Sequence, residues 1–123
     1  MASPKLLGRA TIRFNGQYYD TQDGAALQPG GIKNNDRMGL NDFHYNQTTT
    51  PSVLTCALPV TGGISIRALA EMTEVEITFE EDTGRTWIIR DAVQTADVSL
   101  ATGTNGGWVN LEFRGSPAEE VLS

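Results

Sequence analysis

The side chains that could perform covalent or acid–base chemistry are few. His44 is the only histidine among 123 residues, and Asp42 lies two positions before it. Cys56, the only cysteine, alternates with Leu54 and Leu58, which predicts a thiol buried in the core, where it is unreactive. The spacings of a nucleophile elbow, a zinc-binding H-E-x-x-H motif and a phosphate-binding loop are absent from the sequence. The sequence therefore predicts no catalytic residue and no enzyme.

Oxygen-bearing side chains between residues 34 and 42 raise the question of a calcium site. They lack the alternating ligand spacing of an EF-hand, and Asn and Asp are also the residues that turns favour. One cysteine cannot supply a cysteine-based zinc site or a disulfide framework. We expect no metal and no other cofactor.

A group of carboxylates in the second half of the chain is the strongest chemical feature. Glu74, Glu76 and Glu80 alternate with apolar residues, as on the outward side of a strand, and Glu112 has the same relation to its apolar neighbours. Three interpretations are open at this point. The acids could include a glycosidase pair, form a solvated face that discourages pairing with other strands, or form a wall that faces something acidic.

Charge is distributed unevenly along the chain. Residues 1–70 carry six basic and four acidic residues, a net +2, whereas residues 71–123 carry three basic and eleven acidic residues, a net -8. The overall net charge of -6 argues against a nucleic-acid binder, which needs clustered Lys and Arg. The start of the chain lacks the apolar run of a signal peptide, and no segment is long enough to span a bilayer. We expect a soluble cytoplasmic protein that does not insert into membranes.

Alternating segments separated by turn residues predict a mainly β fold. Asn15-Gly16 is a strong hairpin signal, Asp82-Thr83-Gly84 predicts a second hairpin, and Asn105-Gly106-Gly107 a third turn. Ser65 is suited to cap one short helix that runs to about residue 73. Predicted strands cover residues 9–19 around the first turn, 52–58, 74–81, 85–93, 96–101 and 108–114, with a loop over 20–31 and a short acidic tail from 116. We expect one domain over residues 1–123, an antiparallel β-sandwich or barrel of about seven strands with one short helix.

Residues 33–51 form an unusual stretch that is rich in Asn, Asp and Thr and poor in apolar residues. Structureless segments of this length are uncommon in compact domains and are usually functional. We expect an interaction loop, or an extended hairpin that becomes ordered against a partner. The candidate contact residues are Lys33, Arg37, Met38, Leu40, Phe43, His44 and Tyr45.

The order and spacing of five segments resemble those of the tail tube proteins of contractile-tailed, Mu-like bacteriophages and prophages. Each segment alone is only a hairpin or turn signature, but the similarity as a whole covers about residues 8–120. The segments are Gly8–Gly16, Pro29–Lys33, Pro51–Leu54, Val75–Phe79 with the following Asp82–Gly84 turn, and Val109–Gly115.

This resemblance implies a structural virion protein. It implies a β-sandwich with a flanking helix that forms hexameric rings, which stack into a tube inside a contractile sheath and conduct DNA during ejection. The implied partners are further copies of the chain, the tail sheath protein, and the tape-measure, baseplate and terminator proteins. DNA passes without specific binding. The implied location is the virion tail, assembled in the cytoplasm of the bacterial host.

The resemblance also gives the unusual features of the sequence a role. It places residues 33–50 where the family's long loop or hairpin reaches a neighbouring subunit or ring, so we expect Lys33 and Arg37 to meet acids of that neighbour. We expect some of the acids Glu74, Glu76, Glu80 and Glu112 to face the bore. An acidic wall gains no counterion release from DNA, and its repulsion extends only about 8 Å at physiological salt.

Two other functions remain open from the sequence. A monomeric carbohydrate-binding or adhesin-like β-sandwich would use exposed aromatic side chains, for which Tyr18, Tyr19, Tyr45, Trp87 and Trp108 are available. A small hydrolase would use the acidic cluster. The oligomeric state separates the first from a tube protein, and an activity lost on Glu→Gln substitution would identify the second.

Overall fold

The computed structural model describes residues 4–104 and 106–122. These residues form ten strands and one short helix. The elements are β1 (Ala10–Phe14), β2 (Gln17–Tyr19), β3 (Ala26–Gln28), β4 (Gly31–Met38), β5 (Phe43–Thr50), β6 (Ser52–Pro59), α1 (Ile66–Ala70), β7 (Val75–Glu81), β8 (Thr86–Gln94), β9 (Trp108–Gly115) and β10 (Glu119–Val121).

Eight strands form one antiparallel sheet that is folded into two layers. Its strand order is β2-β1-β7-β8-β9-β6-β3, and β10 pairs with β8. β8 joins the layers, because its first part pairs with β7 and β10, whereas its last residues Val93 and Gln94 pair with β9. β2 and β3 end the strand order and do not pair with each other within the described residues, so the fold is an open sandwich. β4 and β5 form a separate two-stranded sheet.

The core lies between the two layers. Phe14 on β1 and Phe113 on β9 have ring centroids 4.9 Å apart, although two strands separate β1 from β9 in the sheet order. A flat sheet would hold such strands about 14 Å apart, so this contact is made across the sandwich. The inward residues Ile77 and Phe79 of β7 and Leu111 of β9 belong to the same buried cluster.

Because the inward sides of the two layers meet, their outward sides form opposite surfaces. We call the outward side chains of β1, β7, β8 and β10 the β7 face, which includes Arg13, Glu76, Glu80, Arg90 and Glu119. We call the outward side chains of β6 and β9 the β9 face, which includes Thr55, Asn110, Glu112 and Arg114.

Several local signals predict the observed structure correctly. Asn15 and Gly16 both have positive φ, 51° and 83°, as a type I′ hairpin turn between β1 and β2 requires. The Ser65 hydroxyl accepts a hydrogen bond from the Ala68 N–H at 3.2 Å and caps α1. The predicted helix extends to residue 73, but α1 ends at Ala70.

Other expectations about single elements are wrong. The predicted loop over 20–31 contains β3, and the acidic tail contains β10. With these two, with β4 and β5, and without the predicted strand over 96–101, the described residues form ten strands rather than about seven. The predicted strand over 96–101 is irregular: Leu100 is 59% exposed, and only Val98 packs partly against the core. The chain leaves the sheet just before this segment: β8 pairs with β9 only through Val93 and Gln94, and the Thr95 N–H donates to the Glu112 carbonyl at 2.7 Å. Asn105, in the third predicted turn, lies outside the described residues.

Within the described residues, the structure contains no helix that is long and apolar enough to cross a bilayer.

Candidate assembly surfaces

The stretch with the unusual composition forms a β-hairpin. β4 and β5 pair along their whole length: Gly31 lies opposite Thr50 at one end, and Met38 lies opposite Phe43 at the other. In the tip between them, the Gly39 N–H donates to the Asp42 carbonyl at 2.8 Å. We call residues 31–50 the ribbon. Of the two alternatives, a loop or an extended hairpin, the structure shows the hairpin.

The register gives the ribbon two chemically different sides. Because successive strand residues point to opposite sides, one side carries all the large apolar residues of the two strands, and we call it the apolar side. Its apolar residues are Ile32, Met38, Phe43 and Tyr45, and its polar residues are Asn34, Asp36, Gln47 and Thr49. The opposite side, the basic side, carries Lys33, Arg37 and His44 among Asn and Thr residues. The seven residues predicted as one contact set are thus divided between two sides, with Leu40 in the tip.

The apolar side has no cover within the described part of the chain. Ile32, Met38, Phe43 and Tyr45 are between 62% and 72% exposed, and Leu40 is 97% exposed. An isolated two-stranded hairpin is at best marginally stable in water, and a cluster of exposed apolar side chains such as Met38, Phe43 and Tyr45 marks an interaction site. The ribbon therefore has the properties of an assembly element.

The ribbon's cations are also unsatisfied. All nine Lys and Arg side chains lie in the described residues, and six of them form ion pairs within the chain. Lys33, Arg37 and Arg9 meet no carboxylate within 4.0 Å in that part of the chain; Arg37 donates only to the neighbouring Asp36 carbonyl, at 2.8 Å. Two of the three unpaired cations therefore lie on the basic side of the ribbon.

The predicted acidic strand side differs from the expectation. Glu76 and Glu80 lie on the β7 face, where Glu80 pairs with Arg13 at 3.2 Å and Glu76 with Arg90 at 3.7 Å. Glu74 precedes β7 and has a φ of 54°, so it does not continue the strand alternation, and the expectation that it does is wrong.

Glu112 lies on the opposite surface from Glu76 and Glu80. On the β9 face it receives two contacts from Arg114, at 2.6 Å from Nη2 and 2.8 Å from Nε. Thr55 of β6 lies directly opposite Glu112, and Asn110 is the next outward residue along β9. The four candidate acids therefore do not form one wall, and arginines neutralise three of them.

Other carboxylates hold the fold together. Asp91 accepts hydrogen bonds from the Ser116 hydroxyl at 2.6 Å and the Ser116 N–H at 2.9 Å, which lowers the pKa of Asp91. Hydrogen bonds from Arg90 likewise lower the pKa of Glu119 on β10. These two contacts tie the C-terminal strand to β8.

The groups considered for catalysis are not assembled into a site. Cys56 is buried, as predicted, and this burial raises the pKa of its thiol to about 12. His44 is exposed on the ribbon opposite Arg37. In the described part of the chain, no group of three or more His, Cys, Asp or Glu side chains could hold a metal ion.

The aromatic side chains considered for sugar binding do not form one exposed surface. Trp87 is half-buried, and its indole N–H donates to Glu81 at 2.6 Å. Tyr19 packs on Phe14 with ring centroids 5.1 Å apart. These contacts commit two of the five aromatic residues to the body of the fold.

Nearly the whole chain matches a known family. Residues 3–120 fit the family model described as phage tail tube protein. The chain belongs to the phage tail tube protein family. It is 24% identical to the tail tube protein of Escherichia phage Mu over 121 residues, which are 98% of this chain and 99% of that protein. Membership confirms the resemblance seen in the sequence and makes this a structural tail component rather than an enzyme.

Solved structures show the same fold. A chain of the tube-terminating cap of the anti-feeding prophage superposes with a TM-score of 0.74 at 11% identity, covering 100% of this chain and 94% of that one. A chain of the sheath–tube complex of an extracellular contractile injection system, in its extended state, superposes with a TM-score of 0.70 at 12% identity, covering 98% and 93%.

Sequence reasoning missed some of the residues on these surfaces. Ile32 extends the apolar side of the ribbon but lies one residue before the stretch that was singled out. Arg13 and Arg114 are the neutralising partners of Glu80 and Glu112. The ion pair of Arg114 with Glu112 could have been predicted from the sequence, because residues two apart share one side of a strand. The ion pair of Arg13 with Glu80 could not, because it depends on which strands pair.

Proposed function

We propose that this chain forms stacked hexameric rings that make the inner tube of a contractile tail, through which DNA is ejected. The observation that carries the proposal is the ribbon with its uncovered apolar side, in a chain that belongs to the tail tube family. Eight-residue strands reach about 25 Å, far enough to cross from one subunit to the next. The number six comes from the family resemblance.

Further copies of the same chain are the natural cover for the ribbon. A tube is a homopolymer in which every subunit meets the same surroundings, so each ribbon can be buried at every position along the tube. Burial removes apolar area from water at about 25 cal/mol per Å² and provides the tertiary contacts that a hairpin lacks alone. Lys33 and Arg37 then meet acids of the neighbouring copy.

The β9 face is our candidate for the wall of the bore. β3 and β6 of this layer continue through Pro29-Gly30 and Pro51 into β4 and β5, so the layer that carries the β9 face is covalently continuous with the assembly element. A ribbon that reaches a neighbouring copy thereby extends this layer from one subunit to the next. Of the four candidate acids, this arrangement places Glu112 at the bore.

The wall so formed is nearly uncharged. Arg114 neutralises Glu112, and Thr55 and Asn110 are small and polar. Such a surface offers DNA neither free cations to bind nor strong repulsion, which suits conduction without specific binding.

The opposite β7 face then lies on the outside of the tube, available to the sheath protein. The rings at the two ends of the tube contact baseplate and terminator proteins, and the tape-measure protein occupies the bore before ejection. The particle is assembled in the host cytoplasm and the tube is part of the virion tail.

Site-specific labelling of assembled tubes tests this proposal. Asn110→Cys marks the β9 face and Val121→Cys marks the β7 face, while the native Cys56 is buried. Tubes formed without sheath are treated with a maleimide coupled to a protein too large for the bore. We expect labelling of Val121→Cys alone, and electron microscopy of the same tubes gives the ring symmetry.

The reverse labelling pattern would place the β7 face, with Glu76 and Glu80, at the bore while leaving the tube intact. A chain that stays monomeric at all salt concentrations, also in the presence of its sheath protein, would contradict the tube and favour the monomeric carbohydrate-binding module.

A further inference from the structure

A groove runs along the side of the sandwich where the N-terminal segment, the β2–β3 loop and the end of β7 meet. One half is acidic, because Asp20, Asp23, Glu80, Glu81 and Asp82 line it with Arg9 as the only cation among its lining residues. The adjoining half is mainly apolar and is lined by Leu7, Ala25, Leu27, Pro29, Phe79 and Trp87. Leu7, Ala25 and Phe79 line both halves, so the groove is continuous.

Two of the acids in this groove have no partner within the described residues. Glu80 is paired with Arg13, Glu81 accepts hydrogen bonds from Thr83 and Trp87, and Asp82 accepts hydrogen bonds from Gly8 and Arg9. By contrast, the carboxylates of Asp20 and Asp23 accept no hydrogen bond and meet no cation within ion-pair distance in the part of the chain that is described. Both residues are exposed in the β2–β3 loop.

The ribbon and this groove are complementary in two properties at once. The ribbon offers two unpaired cations, Lys33 and Arg37, on one side and an uncovered apolar surface on the other. The groove offers two unpaired carboxylates in one half and apolar lining in the other. No hydrogen bond or ion pair joins the two features within the described chain, so both remain available to a second copy.

We propose that the ribbon of one copy docks in this groove of a second copy. Its basic side meets Asp20 and Asp23, and its apolar side covers the half lined by Leu27 and Trp87. The inference rests on the proposed tube and specifies which surface of the neighbouring copy receives the ribbon.

The geometry of such a contact suits a tube. The donor ribbon and the acceptor groove are different surfaces of the chain, so the interface is heterologous and each docked copy presents a further free ribbon or groove. Interfaces of this type generate rings or open-ended filaments rather than closed dimers. The exposed charges also make docking sensitive to salt, since the Debye length is about 8 Å at physiological ionic strength.

Charge-swap complementation tests the docking. One variant carries Lys33→Glu and Arg37→Glu on the ribbon, and a second carries Asp20→Lys and Asp23→Lys in the groove. A third variant carries all four substitutions. Each protein is brought to the same concentration in 0.15 M salt, and the fraction in tubes is measured by sedimentation and electron microscopy.

We expect each two-site variant alone to lose at least tenfold in assembled fraction. An equimolar mixture of the two variants should recover to within about threefold of wild type, because every ribbon then finds a groove of opposite charge. The four-site variant should recover alone for the same reason.

A matched control separates local contact from net charge. The control variant carries Glu74→Lys and Asp97→Lys, which change the net charge by the same amount as the groove variant. These two acids also have no ion-pair partner in the described residues, and the control should assemble like wild type. Circular dichroism of each monomer checks that the fold is retained, as expected for substitutions at exposed positions.

The outcomes distinguish the docking from the tube itself. Three results would each overturn the docking: normal assembly of the groove variant, failure of the mixture to recover, or an equal loss in the control. As long as the wild-type protein still forms tubes, none of these results contradicts the proposed tube. If wild-type protein forms no tubes even with its sheath protein, the tube and the docking both fall.

Discussion

The sandwich body and the ribbon are stabilised in opposite ways. In the body, Phe14, Leu54 and Phe113 are almost completely buried in one core. In the ribbon, the large apolar side chains lie in water and the strands contact chiefly each other. One chain thus combines a body with its own core and a ribbon without one, as expected if the ribbon is stabilised by the proposed assembly.

Ionic contacts separate the same two regions. In the body, five of the seven pairs join residues from different elements or from distant parts of the chain, such as Arg13 with Glu80 and Arg90 with Glu119. The ribbon's Lys33 and Arg37 meet no carboxylate in the described residues. Exposed ion pairs contribute only about 0–1 kcal/mol each, so this contrast says little about the stability of the fold. It shows instead that the cations of the body other than Arg9 have acidic partners within the described chain, whereas those of the ribbon do not.

The largest expected effect is a core truncation in the body. Phe113→Ala removes a fully buried ring that contacts Phe14, and it should lower the free energy of unfolding by about 3–5 kcal/mol. Urea denaturation of the monomer measures the loss. A loss below about 1 kcal/mol would mean that the body is not organised around this core.

Truncation in the ribbon should have the opposite profile. Phe43→Ser with Tyr45→Ser should change the unfolding free energy of the monomer by less than about 0.5 kcal/mol, because both side chains are exposed. The same variant should lose at least tenfold in assembled fraction by sedimentation. Asn46→Ser with Thr48→Ser, on the basic side of the same strand, is the control and should assemble nearly normally.

The junction between the two regions depends on Gly30. It has a φ of 73°, and a Cβ there would lie 2.5 Å from the Pro51 carbonyl oxygen, so Gly30→Ala should cost about 1–3 kcal/mol. Gly31→Ala is the matched control, since Gly31 has a φ of 111° but open space around its Cα. Denaturation and tube assembly should both show a larger loss for Gly30→Ala; equal losses would mean that backbone strain alone matters there.

A smaller effect tests the wall of the proposed bore. Glu112→Gln releases Arg114 from its ion pair and leaves a free cation on the β9 face. Tubes of this variant should retain a short DNA duplex about threefold to tenfold more strongly at low salt, because one charge contact near water contributes roughly 1 kcal/mol. Filter retention at two salt concentrations measures this. Glu76→Gln on the β7 face is the control, because Arg90 keeps Glu119 as a partner. Equal retention by both variants would count against the β9 face as the bore.

The smallest effect concerns pH and one edge of the body. The pKa values of Asp91 and Glu119 lie below their ordinary values of 3.8 and 4.5, so both stabilise the attachment of β10 when ionised. This stabilisation is fully present above about pH 5 and is lost as pH falls through the lowered folded-state values. Hydrogen-exchange protection of β10 should therefore fall as the pH is lowered from 5. Asp91→Asn with Glu119→Gln should remove most of that pH dependence.

Local sequence signals predicted much of the body. The Asn15-Gly16 turn, the Ser65 cap and the alternation of Val75, Ile77 and Phe79 each act over a few residues, and each has its expected structure. The prediction of a strand over 96–101 was wrong, because a strand needs a neighbouring strand within reach and the alternation of Val98 with Leu100 does not show whether the fold supplies one.

The sequence by itself determined that this is a mainly β tail tube protein with an unusual segment at 33–51. Only the tertiary structure decided which surfaces the functional residues share. Strand register divided the ribbon residues between two sides, since a shift of one residue exchanges the sides of a strand. Folding of the sheet at β8 placed Glu76 and Glu112 on opposite surfaces, because alternation says which residues point outward but not which layer their strand belongs to.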